Sequence, residues 1–151
     1  MWMSKKPVSV SVTDASTLVI PACAPGTVAT WVAGLVAAAG SVCRNATGQL
    51  YWTVAGGTCG ATALTHDSGD ASDGGVTWRR LYQDRSQLVL VNDSTVVIYL
   101  GIGFAAEANR GIRLNAGGGA MNFLEFGRVP ECAIYAIGAS AGPSVLGVQE
   151  G

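Results

Sequence analysis

The residues able to do chemistry are few and scattered. The one histidine, His66, is followed by Asp67 and Ser68, so a base, an acid and a hydroxyl stand side by side. A nucleophilic triad needs those groups delivered from separate rigid elements, and three consecutive residues of a polar loop do not provide that geometry. Asp67, Asp70 and Asp73 recur at every third position and offer the hard oxygen ligands calcium takes. Their spacing is not that of a calcium-binding loop, and capping of turns is the simpler role. Glu107, Glu125 and Glu131 are the mid-chain glutamates, with nothing to place two of them at the separation glycoside hydrolysis requires. Cys23, Cys43, Cys59 and Cys132 lack CxxC spacing and do not make a zinc site with a single histidine. They read as buried free thiols, although the even count leaves disulfides open, with Cys43 and Cys59 placed to face each other across a hairpin. Gly117-Gly118-Gly119 is not followed by the lysine of a phosphate-binding loop. The sequence predicts no enzyme, no metal and no cofactor.

Binding is the more serious possibility. Trp31, Tyr51, Trp52 and Trp78 gather in the first half of the chain, and flat rings on a small β-module form a platform on which a glycan stacks. Tyr51 and Trp52 are neighbours, so in a strand they point to opposite faces and only one joins a given platform. The competing reading makes all four core residues of a module too small to fill itself otherwise. Asn45-Ala46-Thr47 and Asn92-Asp93-Ser94 match the glycosylation pattern, but with no secretory leader in the sequence they read as turns.

The composition favours an assembly. Of 151 residues 49% are hydrophobic and 13% charged, about half the usual charged share, so the surface is poor in charge and part of it is expected to be covered by partners. A net charge of −1 leaves no basic field for phosphates, and nucleic-acid binding is not expected. The longest weakly polar stretch, Val28 to Ala39, is too short to span a bilayer, and no membrane anchor is expected.

The elements that must position these residues are strands. Val8 to Val12 alternates apolar and polar with period two, and Thr17 to Ile20 is a second β-branched run. Val28 to Ala39 fits a short helix or a coil packed on a sheet equally well. Ser41–Arg44 and Gln49–Val54, joined by Asn45-Ala46-Thr47-Gly48, read as a hairpin. Thr65 to Gly75 reads as a polar loop before the strand Val76–Leu81. Gln87–Val91 and Thr95–Leu100 look like antiparallel neighbours in one sheet, with further strands at Ile112–Leu114, Met121–Phe126, Ala133–Ile137 and Ser144–Val148. Gly111, Gly117, Gly118 and Gly119 mark places needing positive φ or close backbone approach, and Asp73-Gly74-Gly75 a tight turn. The predicted fold is all-β, a small β-hairpin module followed by a β-sandwich or barrel-like module. Residues 1–30 form an N-terminal arm and strand, 31–82 the small module and 83–151 the sandwich.

Two segments carry a resemblance. Gly48-Gln49-Leu50-Tyr51-Trp52, Ala55-Gly56-Gly57-Thr58-Cys59-Gly60 and Asp73-Gly74-Gly75-Val76-Thr77-Trp78 resemble a short module of tailed-bacteriophage virion proteins, and are similar to small chitin-binding hairpin modules. From Arg85 onward, Leu88-Val89-Leu90-Val91-Asn92, Val97-Ile98-Tyr99-Leu100-Gly101, Asn109 to Gly117 and Ile134 to Ala139 resemble a second phage structural module. The resemblance implies capsid decoration or head-fibre function as a homo-oligomer, a trimer above all, on the major capsid or other virion proteins. It implies a protein made in the host cytoplasm and resident in the virion. A carbohydrate-binding module of a tail or fibre, meeting a surface glycan, is the alternative. The contact residues expected are Trp2, Val8, Val10 and Val12 of the N-terminal arm, with Phe104, Phe123 and Phe126 as weaker candidates that equally suit a core.

Overall fold

A computed structural model describes residues 6–23, 26, 28–83, 85–123, 129–142 and 144–151. In chain order the strands are β1 (Val8–Val12), β2 (Thr17–Ile20), β3 (Ala29–Thr30), β4 (Val36–Ala37), β5 (Val42–Arg44), β6 (Leu50–Ala55), β7 (Gly57–Thr58), β8 (Asp70–Asp73) and β9 (Val76–Leu81). They continue with β10 (Leu88–Asn92), β11 (Ile98–Ile102), β12 (Ile112–Leu114), β13 (Gly119–Asn122), β14 (Ile134–Gly138) and β15 (Ser144–Glu150). The fold is all-β, with no α-helix among the described residues. No helix of those residues is long and apolar enough to cross a membrane.

The chain forms two compact units, residues 1–23 with 84–151 and residues 24–83. The small unit is therefore inserted between β2 and β10 rather than standing ahead of the sandwich. Residues 8–20 are not a separate arm: β1 pairs with β15 and β2 with β14, because their alternating valines and isoleucine complete the sandwich core.

The sandwich unit has two four-stranded sheets, ordered β1-β15-β10-β13 and β12-β11-β14-β2. Its eight strands pair first with last, second with seventh, third with sixth and fourth with fifth: β1 with β15, β2 with β14, β10 with β13, β11 with β12. Each pairing is antiparallel, and the long ribbon so formed folds over on itself through β10–β15 and β11–β14. That order is the jelly-roll arrangement of two facing sheets. Period-two alternation sends Val10, Val12, Leu88, Leu90, Leu146 and Val148 from one sheet against Val19, Ile98, Leu100, Leu114, Ile134 and Ala136 from the other.

One strand pairing departs from the sequence expectation. β10 and β11 lie in different sheets, not side by side. Asn92 makes the corner: its fully buried amide donates to the carbonyls of Val96, Leu114 and Asn115, and its Oδ1 accepts from the backbone and hydroxyl of Ser94. Two apolar runs around an Asn-Asp-Ser turn look the same whether the chain doubles back or crosses to the facing layer. The run expected over Met121–Phe126 begins earlier, as β13; Phe126 lies outside the described residues.

The inserted unit is built on the five-stranded sheet β3-β5-β6-β9-β8 with the short pair β4-β7. The hairpin β5–β6 forms as expected, with Cys43 opposite Tyr51 and Val42 opposite Trp52. Val28 to Ala39 is neither helix nor plain coil, since it contributes β3 and β4. The polar stretch before Val76 is not wholly loop either: Asp70–Asp73 pairs with β9, Asp70 opposite Arg79, because the turn at Gly74 (φ +62°) folds it back. A side chain on Gly74 would meet backbone at 2.5 Å, which explains its glycine.

Candidate functional site

The aromatic residues of the inserted unit are structural. Tyr51 and Trp78 share one face of the sheet with 0% exposure, inside a core formed with Ala37, Cys43, Cys59, Leu64 and Val76. Trp52 lies on the opposite face, as strand alternation requires, at 4% exposure with the Arg79 guanidinium 5.3 Å from its ring. Trp31 is half-buried against the core and its indole Nε1 donates to Asp73 Oδ2 at 3.0 Å. No stacking platform results from Trp31, Tyr51, Trp52 and Trp78. A unit of this size needs its large rings inside, and three of the four have no free face to offer.

The polar groups around them are wired to the fold. Tyr51 donates its hydroxyl to the His66 carbonyl at 2.9 Å, and the His66 ring sits 4.9 Å from that of Tyr51. Burial lowers the His66 pKa, so the imidazole is neutral at pH 7, and its Nε2 makes no hydrogen bond. Asp70 takes the Arg79 guanidinium with both oxygens, at 2.6 and 2.9 Å. Asp73, three residues on and buried, takes the Trp31 indole and the Thr62 amide, while the Asp67 carbonyl accepts from the Tyr82 hydroxyl. The carboxylates of Asp70 and Asp73 thus serve different partners, while Asp67 contributes its backbone carbonyl. No group of three His, Cys, Asp or Glu converges among the described residues.

Both glycosylation-like asparagines are turn-formers. Asn45 is buried; its Oδ1 accepts from the Thr47 and Gln49 amides and its Nδ2 donates to the Leu64 carbonyl at 2.8 Å. Asn92 is the corner residue already described. In each the amide nitrogen that would carry a sugar is engaged.

The cysteines are free thiols, and three of them, Cys23, Cys43 and Cys59, are buried. Burial, then the neighbouring Cys59, pushes the Cys43 thiol up to about 12. Cys59 is raised by burial and by Asp73. Cys132 is exposed, contrary to the expectation for it, because the segment before β14 runs over the surface.

The residues expected to form an assembly arm are placed otherwise. Val10 and Val12, 9% and 1% exposed, point into the sandwich core, with Val8 partly buried against it. Their side chains are spent on folding, since β1 is a sheet strand. Trp2 lies outside the described residues. Phe123 is core, and Phe104 is half-exposed on the loop after β11.

Two surfaces stand out that the residue types alone did not mark. On the outer face of β1-β15-β10-β13, the register aligns Ser9, Gly147, Val91 and Ala120 in one row and Gln149, Val89 and Asn122 in another. Ser11 and the exposed Val145 pair beside them, and none of the nine residues is charged. On the outer face of the second sheet, Tyr99 opposes Arg113 and Ile137, while Tyr135 opposes Gly101 and Leu18. The two tyrosines are partly exposed, and Tyr99 donates to Asn109 Oδ1 at 2.9 Å. Strand alternation is readable in the sequence; which strands lie side by side is not, and the faces exist only through that adjacency. Separately, residues 15–43 contain no charged side chain, and within that stretch Val32 and Val36 are exposed, Val36 at 77%. No protein-family model matches the chain, and neither does any curated protein.

Proposed function

We propose that the protein is a non-enzymatic structural component of a tailed-phage particle, made in the host cytoplasm and bound to the capsid in the virion as a homo-oligomer, a trimer above all. The observation that carries this reading is the eight-strand jelly roll with a wholly uncharged outer sheet face. Jelly rolls serve as capsid and lectin domains, so the topology is compatible with the reading without selecting it alone. The face adds the physical reason. Charge-poor, flat β-surface is what the centre of a protein interface is made of, and the chain has charge to spare on only 13% of its residues. Asn45, Asp70, Asp73 and Asn92 have their side chains engaged in turns and in contacts within the fold.

The test is cosedimentation of the purified chain with shells assembled from the major capsid protein of the same genome. Saturable binding at a fixed ratio of copies per shell subunit is expected, with light scattering giving a multiple of 15.4 kDa for the free protein. A strictly monomeric chain that leaves the shells bare overturns the proposal.

A second reading, a glycan-binding module, keeps one supporting observation, the partly exposed Tyr99 and Tyr135 on the same sheet face. It requires glycan-array binding that is lost in Tyr99→Ala and Tyr135→Ala and kept in Trp78→Phe.

A further inference from the structure

We infer that the free edge of β1 is a docking strand for β1 of a second copy of this chain, the two pairing antiparallel about a two-fold axis through Val10. Among the described residues β1 has a neighbour on one side only, β15. With no strand beside it among those residues, the other side offers its backbone donors and acceptors as a template for another strand. The other edge strands are short or blunted: β3, β4 and β7 have two residues each. β8 begins and ends on aspartate, β12 is three residues long and carries Arg113, β2 meets β14 with a register shift, and β13 grows directly out of the Gly117–Gly119 turn. β1 has none of these protections: five residues in regular register, with no charge and no proline.

The occupant is argued from the strand itself. Val8-Ser9-Val10-Ser11-Val12 reads the same in both directions. Antiparallel pairing with an identical strand centred on Val10 therefore sets Val8 against Val12, Ser9 against Ser11 and Val10 against Val10, matching size and polarity at every position. About four to six backbone hydrogen bonds form, depending on which set of residues faces outward. The valines of both copies stay on the core face, so neither sandwich has to open. On the outer face Ser9 and Ser11 are exposed and border the uncharged row through Gly147, Val91 and Ala120, so no like charges meet as two four-stranded sheets become one of eight. The contact is two-fold; it stands alone or joins two trimers of the kind proposed above, and it does not depend on shell binding.

Two double variants test it in the full chain. Ser9→Asp with Ser11→Asp sets carboxylate against carboxylate at both symmetry-related pairs. Ser9→Lys with Ser11→Asp sets ammonium against carboxylate at the same places. By sedimentation velocity over a concentration series, the first is expected to run at half the parent's mass with self-association at least tenfold weaker, and the second to keep the parent's mass. The inference is overturned if the first variant associates like the parent, if the second dissociates like the first, or if the parent is a 15.4 kDa monomer throughout. Loss of folding in both variants, read by circular dichroism, would place this edge inside the fold and also count against it.

Discussion

Arg85 and Glu150, sixty-five residues apart, meet with Nε 2.8 Å from Oε1, and the arginine side chain is completely buried. The same guanidinium donates to the carbonyls of Pro130 and Pro21, so one side chain ties together the segments entering and leaving the sandwich. Breaking a buried pair leaves a desolvated charge unpaired, a loss of about 3–5 kcal/mol. Glu150→Ala is expected to lower stability by that order in urea denaturation. Arg85→Met with Glu150→Leu is expected to lose less than Glu150→Ala alone, since no orphaned charge remains.

Gly111 and Gly117 both have positive φ, +79° and +69°, but differ in their surroundings. A Cβ on Gly111 would lie 2.2 Å from the Leu100 carbonyl oxygen, while one on Gly117 meets nothing within 4 Å. Gly117→Ala is expected to cost about 1 kcal/mol, the left-handed penalty alone. Gly111→Ala adds a backbone collision and is expected to cost several times as much, read as the difference in thermal midpoint.

His66 links stability to pH. Its folded pKa lies below the unfolded value near 6.5, chiefly through burial, so the unfolded chain binds the proton more readily. The contribution is complete above pH 6.5 and is lost as pH falls from there through the folded pKa. The urea midpoint is expected to decline over that window, and His66→Phe to flatten the decline.

Thiol labelling sorts the cysteines. With its pKa pushed up to about 12, Cys43 has roughly one thiolate in ten thousand at pH 8, and it is buried as well. Cys132 is expected to react first with a maleimide, Cys23, Cys43 and Cys59 only on unfolding. Two fast-reacting thiols in the native chain would contradict the placement described.

Strand existence was legible because alternation writes it directly: Val8–Val12, Thr17–Ile20 and Val76–Leu81 form where the pattern puts them. The turns at Asn45, Asn92 and Gly74 were legible too, through residues that supply side-chain hydrogen bonds or positive φ. Adjacency was not. The pairing of Val8 with Val148 is a meeting of distant segments that no local pattern encodes, and without it the opening strand looked like a loose arm. The core role of Tyr51, Trp52 and Trp78 was legible from the small size of the unit, which needs large rings inside, although ring type alone does not separate it from a sugar platform. The candidate surfaces follow from adjacency, and so they stayed out of sight.

The insertion of residues 24–83 between β2 and β10 also sets an order of events on the ribosome. The inserted unit is complete once Gln83 has emerged and can form while the rest is still being made. β1 has to wait, because β15 follows every other strand of both units in chain order and lies between β1 and β10. Until β15 has been made the valines of β1 have no companion, and a nascent chain released before it would leave one of the two layers of the jelly roll without its second strand.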